Sequence, residues 1–424
     1  MNINTMRRLD CWLGVPTCWV LTQLRRAATL LRGRTPAGPP RRIVIVKLAE
    51  QGATVLAGPA LRRAIQMVGA ENVFFLVFEE NRPILDFMRL IPPENVIAIR
   101  TKGLVRFAGD TLRALARMRR EKIDTAVDFE FFARSSAVLS YLSGARRRVG
   151  FHGFAGGGPY RGDLMTHRLS FNSHLHAGDI FLMQVEAITA DPDTLPALNL
   201  RFKKEPDAML PSEQGSSNAP GSFRASDADT ASVRRTLREL LGKDDVTPLI
   251  LLNANCSDLL PLRKWPQERY LELARRLLRQ YPELNIAFTG APSEAGPVAE
   301  LARSVGSDRC VNMAGRTSMS ELMALYNLAE VLITNDSGPA HFASLTGIDV
   351  VTLFGPETPA AFGVRSPRSH ILWAGLACSP CVNAYNNRLS ACRNNLCMQQ
   401  ITVDQVFRTV CEAYESRRAH VAVT

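Results

Sequence analysis

The stretch Asn335-Asp336-Ser337-Gly338-Pro339-Ala340-His341 is the part of this chain best equipped for chemistry. It follows the apolar run Ala329 to Ile333 and leads into Phe342-Ala343-Ser344-Leu345. A short β-branched run that stops at Asn-Asp-Ser-Gly and restarts as an apolar helix reads as strand, tight turn, helix. Such a turn puts backbone N–H groups and a helix N-terminus at the carboxyl edge of a parallel sheet, where phosphorylated ligands bind. The plainer reading is a βα loop with Asp336 or Ser337 as N-cap. Asp336 is itself anionic, so a structural or sugar-hydroxyl role suits it better than phosphate contact.

Other groups stand at comparable places. Glu294, in Gly290-Ala291-Pro292-Ser293-Glu294, comes just after an expected strand, where a carboxylate can accept hydrogen bonds from ribose hydroxyls. It would equally suit the first turn of a helix. Cys378-x2-Cys381-x10-Cys392-x4-Cys397 could hold a structural zinc as two thiolate pairs, or form a compact loop of free thiols. Gly156 to Asp163 is glycine-rich but lacks the Gly-Lys-Ser/Thr of a P-loop. With His167, His174 and His176 following, it reads as a mobile acceptor loop, the histidines being acceptor contacts or loop structure.

The elements that must position these groups alternate in type. Buried strands are expected at 42–48, 73–78, 96–100, 123–129 and 147–151, with helices at 55–68 and 109–120 and a loop at 49–53. From Lys203 to Ser232 the texture turns polar, Gly-, Ser- and Pro-rich, which reads as linker or insertion. The rhythm then resumes: strands 249–253, 285–289, 331–334 and 350–354, helices 267–280, 294–305 and 403–414, and a helix from 340. The expected organisation is a basic amphipathic arm at 1–40, one α/β domain at 41–200, a linker at 201–245 and a second α/β domain at 246–424. Alternation of this kind implies parallel sheets covered on both faces.

The 424 residues suffice for two such cores. A net charge of +11 invites a nucleic-acid reading, but residues 1–42 hold eight Arg against one Asp, so +7 of it lies in the arm. With no helix-turn-helix, zinc-finger or RNP pattern, nucleic-acid binding is not expected. The arm's apolar run breaks at Arg25-Arg26 and contains Pro16, too short for a span of about 20 residues. Val20, Leu24, Ala27, Ala28 and Leu31 share a helical face, and Trp with Arg suits an anionic membrane interface. Residues 1–38 are therefore either a peripheral membrane contact or a helix packed on the protein's own surface. Nine cysteines without a signal sequence indicate a reducing compartment, so a cytoplasmic location is expected, with the inner face of the cytoplasmic membrane as the place of any attachment.

The 335–341 turn, with Gly347 and Val350-Val351-Thr352-Leu353-Phe354-Gly355-Pro356, resembles the nucleotide-sugar signature of glycosyltransferase family nine, the heptosyltransferase-like enzymes. Leu262-Arg263-Lys264-Trp265-Pro266 and Ala314-Gly315-Arg316-Thr317-Ser318 with Glu321 resemble the same family. The resemblance runs in outline over 42–410, strongest over 314–356 and weakest over 200–245. It implies a GT-B fold: two doubly wound Rossmann-like domains facing a central cleft. It also implies an inverting glycosyltransferase that needs no cofactor or metal. The donor would be a nucleotide-sugar, ADP-heptose among the candidates, and the acceptor a lipopolysaccharide-like or other glycan or lipid. Asn335, Asp336, Ser337, Gly338, His341 and Glu294 would bind the donor, and Lys264 would sit against its phosphates.

The same resemblance marks a departure. The family's first loop ends Gly-Asp, its aspartate taken as the base; here Gly52 is followed by Ala53. Glu50 is the nearest replacement, with Asp128 and Glu130 as second acceptor-side candidates. The alternative is an inactive nucleotide- or glycan-binding protein of the same fold.

Overall fold

The computed structural model describes residues 10–32, 38–152, 160–192, 223–256, 260–386 and 388–423. Part of the expected linker (201–222) and Gly156–Pro159 of the glycine-rich segment lie outside them. The chain divides into two compact units, one of residues up to 210 with 384–387, the other of 211–383 with 388–424.

In the first unit six parallel strands run in the order β3-β2-β1-β4-β5-β6. They are β1 (Ile43–Val46), β2 (Val73–Phe78), β3 (Val96–Ile99), β4 (Thr125–Asp128), β5 (Arg147–Phe151) and β6 (His167–Leu169). The four residues of β1 are all buried, as expected of a central strand covered on both faces. Its neighbours are β2 and β4, with Val46 opposite Leu76 and Asp128. The strand order reverses direction between β1 and β4, so loops leaving their carboxyl ends diverge and open a crevice there.

The second unit repeats the plan. Its order is β12-β11-β10-β7-β8-β9, again all parallel. The strands are β7 (Leu249–Asn253), β8 (Asn285–Phe288), β9 (Cys310–Asn312), β10 (Val331–Asn335), β11 (Asp349–Phe354) and β12 (Ser369–Trp373). The equivalent switch point lies between β7 and β10. The helix Gln267–Gln280 covers the sheet through Tyr270, Leu273, Ala274, Leu277 and Leu278, a stripe at helical spacing.

Several expectations need correction. The linker expected at 201–245 contains a helix, Asp227–Leu241, capped by Ser226 and ended by Gly242 at φ 64°. Val233, Leu237 and Leu241, four apart, bury one face and outweigh the polar composition. The loop expected at 49–53 is already helical from Gln51, so Gly52 and Ala53 lie in the helix Gln51–Leu56. The edge strands β6, β9 and β12 escape the sequence pattern because they are short or half exposed and lack a continuous apolar run.

Candidate active site

In the second unit, the strand ends at the switch point carry the expected motif. Asn335 closes β10 fully buried, and its side chain is a brace. Its carbonyl oxygen accepts from the Trp265 N–H at 3.0 Å and the Tyr270 hydroxyl at 3.2 Å, and its amide donates to Asn255 O at 3.1 Å. The side chain of Asn335, expected at the donor, is thus engaged in positioning the turn. By holding Trp265, it sets the backbone of Lys264 against the turn. The Asn395 amide fixes the same segment, donating to Lys264 O at 2.8 Å and Leu262 O at 3.1 Å. The Lys264 ammonium makes no hydrogen bond or ion pair among the described residues.

Ser337 occupies the N-cap position of the short helix Gly338–Ala343 without capping it. Its hydroxyl donates back to Asn335 O at 3.1 Å. Among the described residues the N–H groups of Ser337 and Gly338 consequently make no hydrogen bond, and they remain open to an acceptor. His341 is buried in the same turn. Asp336 is buried too, 3.7 Å from the Arg263 guanidinium. Burial, and next the charge of Glu357, push its carboxyl well above the ordinary range, while Arg263 and Arg388 pull it down. Glu357 in turn pairs with Arg388 at 3.3 Å. This acid–base cluster holds the floor of the turn.

Glu294 stands at the end of the neighbouring β8 and caps its own turn, accepting from the Ala291 N–H at 2.7 Å. One of its oxygens is thus engaged structurally, as its position in a first turn allows. Gly290 keeps this approach open: a Cβ would fall 3.0 Å from Glu294 Oε2 and 3.4 Å from Asn255 Nδ2, a tight fit. That Asn255 amide is buried and has no hydrogen-bond partner among the described residues. The Cys256 thiol, pushed up to about 11 by burial, feels Arg263, Lys264, Asp336 and Glu294, which places all four around the end of β7.

The first unit treats its carboxylates differently. Asp128 is fully buried, accepting from the Arg161 guanidinium, Ser136 Oγ at 3.0 Å and the Glu130 N–H at 3.1 Å. Burial pushes it up to about 6, against the pull of Arg161. Glu130 accepts from the Leu48 N–H at 2.8 Å, the Ala49 N–H at 3.1 Å and Lys47 Nζ at 3.2 Å. Both carboxylates, the second acceptor-side candidates, are engaged within the unit, and the oxygens of Glu130 shape the loop after β1. Glu50 differs. Its side chain is 28% exposed, against 13% for Glu130 and 0% for Asp128. It lies 3.2 Å from the buried Lys47 ammonium and adopts φ 69°, ψ 77°, a left-handed conformation unusual for glutamate. Ala53 points into the core from the helix that Glu50 begins.

Two of the three histidines expected at the acceptor loop are engaged in the fold, and His174 is exposed. His176 caps the helix Ala177–Glu186 by accepting from the Gly178 N–H at 3.1 Å. His167 is buried in β6, and burial lowers it to about 4. Cys378, Cys381, Cys392 and Cys397 are free thiols, and among the described residues no group of side chains is arranged to hold a metal ion. The groups that sequence reasoning passed over are Lys47, Arg161, Arg263, Glu357, Arg388 and Asn255. Only Glu357, next to the signature's last proline at the end of β11, carried a signal in its position.

Residues 208–390 match the family model described as glycosyltransferase family 9 (heptosyltransferase). Among curated proteins, lipopolysaccharide heptosyltransferase 2 of Salmonella typhimurium is 30% identical over 102 residues, 23% of this chain and 29% of that protein. Lipooligosaccharide heptosyltransferase 2 of Haemophilus influenzae is 32% identical over 103 residues, with 23% and 29% covered. The chain thus spans under a third of the length of the curated relatives it matches. Among solved structures, Escherichia coli ADP-heptose lipopolysaccharide heptosyltransferase II superimposes with a TM-score of 0.64 at 16% identity, covering 89% of this chain and 99% of that one. The glycosyl transferase family 9 structure from Veillonella parvula gives 0.66 at 18% identity, covering 91% and 100%. The two parallel sheets and these neighbours establish the GT-B fold.

Proposed function

From a chain that is heptosyltransferase-like, similar to glycosyltransferase family nine and built on the GT-B fold, we propose an inverting glycosyltransferase. It moves a sugar, heptose from an ADP-linked donor being the best-supported choice, to a lipopolysaccharide-like acceptor. The observation that carries this reading is the turn at the β7/β10 switch point. Two open N–H groups at Ser337 and Gly338 and the unengaged Lys264 ammonium suit the diphosphate of a leaving nucleotide.

Each group has a role that its geometry permits. Lys264 balances the charge that grows on the leaving phosphate as the glycosidic bond breaks, so its effect is larger in the transition state. Glu294 uses its remaining oxygen, with the orphaned Asn255 amide, on nucleotide or sugar hydroxyls. Glu50 removes the proton of the acceptor hydroxyl, whose oxygen attacks the anomeric carbon as the nucleoside diphosphate departs from the opposite face. Lys47 holds Glu50 in its strained conformation. The buried Asp336–Glu357 pair with Arg263 and Arg388 keeps the turn in shape.

Incubation of the full chain with ADP-heptose, other ADP- and UDP-sugars and heptose-deficient lipopolysaccharide tests the proposal, with the product read by mass spectrometry. Transfer with inversion at the anomeric carbon supports it. Tight nucleotide binding without transfer or donor hydrolysis would favour the inactive binding protein that the alanine at Ala53 brings to mind.

A further inference from the structure

The N-terminal helix Gly14–Arg32 satisfies its fold requirement with one face only. On that face Cys18 is completely buried with Ala137, Leu164 and Met165. The Thr22 hydroxyl accepts from the Asp163 N–H at 2.9 Å and donates to Cys18 O at 2.7 Å. Arg25 pairs with Asp163. Gly162, at φ +68°, lets the helix approach: a Cβ there would lie 2.5 Å from Thr22 Oγ1 and 2.6 Å from Cys18 O. Ahead of the helix, Asp10 accepts from the N–H groups of Arg134 at 3.1 Å and Ser135 at 2.8 Å. Those residues begin the helix after β4, so Asp10 sits at the carboxyl edge of the first sheet.

The opposite face carries large apolar side chains that are exposed among the described residues. Trp12 is 80% exposed, Leu30 89% and Leu31 86%, and Leu13, Trp19, Val20 and Leu24 are each about half exposed or more. Within the helix, at 100° per residue, Trp19, Val20, Leu24, Leu30 and Leu31 gather on the side away from Cys18 and Thr22, and Trp12 and Leu13 precede it. A contiguous apolar face of this kind marks an interaction surface. Its charge setting selects the partner. Arg7 and Arg8 precede the helix in the sequence, Arg26 borders the exposed face, Arg32 ends the helix and Arg34 follows in the sequence, while Arg25 is paired with Asp163 and Asp10, the one acid, is occupied as a cap. Cations around a Trp- and Leu-rich face complement anionic headgroups above acyl chains, with arginine stems reaching toward the phosphates. Among the described residues no helix is long and apolar enough to cross a membrane.

We propose that the outward face of Gly14–Arg32 is an interfacial anchor for anionic lipid bilayers, docked so that the carboxyl edge of the first sheet, with Glu50, is held near the lipid surface. The membrane contact stands on the helix alone; the benefit to a lipid-linked acceptor rests on the transferase reading.

Flotation of the full chain with phosphatidylcholine vesicles, with and without phosphatidylglycerol, is the test. The intact protein floats with the anionic vesicles and less so in high salt. The triple substitution Trp19→Glu, Leu24→Glu, Leu31→Glu touches only exposed positions, so melting is unchanged while vesicle partition falls by roughly tenfold or more. Arg26→Gln weakens it by about fivefold. Equal flotation of intact and triple-substituted protein overturns the anchor. So does a concentration-dependent oligomer that the triple substitution disperses without any vesicle binding, because a second copy then covers the face. The triple variant should also lose transfer to acceptor embedded in vesicles while keeping transfer to a water-soluble acceptor fragment. If the intact protein uses neither acceptor, the transferase reading fails while flotation still decides the anchor.

Discussion

The two sheets share one strand order, and their carboxyl edges are furnished in opposite ways. At the β1/β4 edge the ionisable groups answer one another: Asp128 is closed by Arg161 and Ser136, and Glu130 by two backbone N–H groups and Lys47. Only Glu50 still faces solvent to an appreciable degree. At the β7/β10 edge Asp336 and Glu357 form a buried cluster below the turn, and among the described residues donors are left over: the Ser337 and Gly338 N–H groups, the Lys264 ammonium and the Asn255 amide. An edge with open donors suits an anionic ligand, and an edge whose most exposed carboxylate is Glu50, paired with Lys47, suits proton removal. The same topology thus hosts two chemistries, because topology supplies the crevice and local residues supply its polarity.

The sharpest test of this contrast is Glu50→Gln. It keeps size and polarity and removes the base, so turnover should fall by roughly 10²–10⁴-fold with ADP affinity nearly unchanged, measured by steady-state kinetics and calorimetry. Full activity in this variant would place the base elsewhere and break the comparison. Next in size is Asp128→Ala, which leaves Arg161 buried without its carboxylate. A loss of about 3–5 kcal/mol in denaturant unfolding is expected. Unchanged stability with lost turnover would instead return Asp128 to the chemistry.

Lys264→Ala probes the other edge. Loss of a charged contact to phosphate should weaken ADP binding by about 1.5–3 kcal/mol and slow transfer as well. Unaltered ADP affinity would mean that the spare ammonium does not meet the phosphates.

The smallest effect concerns pH. Asp336 is raised by burial and by Glu357, so its contribution to stability is complete below the ordinary carboxylate range and is lost as pH rises through its folded value. Stability of the second unit should therefore decline from acid toward neutral pH, and Glu357→Gln should flatten that slope in thermal melts. An unchanged slope would show that burial alone raises Asp336.

Central strands were legible in the residues because they are continuous apolar runs, as at Ile43–Val46 and Leu249–Asn253. Local signals were equally readable: Ser318 forms the capping box with Glu321 that its spacing suggests. The signature turn was legible because its glycine, proline and small residues are needed to put backbone donors at a strand end. What remained hidden depends on partners distant in sequence. Lys47 meets Glu130 across 83 positions, Arg161 meets Asp128 across 33, and Trp265 meets Asn335 across 70. Periodicity reports which face of an element is buried, yet it cannot report which buried polar atoms will satisfy one another. The sequence by itself therefore determined the alternation of elements, the donor-rich turn and the amphipathic arm. Tertiary structure decided that Asn335 braces the turn, that Asp128 and Glu130 accept hydrogen bonds within the first unit, and that the arm turns its apolar face outward. The physical reason is that an isolated residue's chemistry sets what it can do, whereas its access to solvent and its pairing are properties of the packed chain.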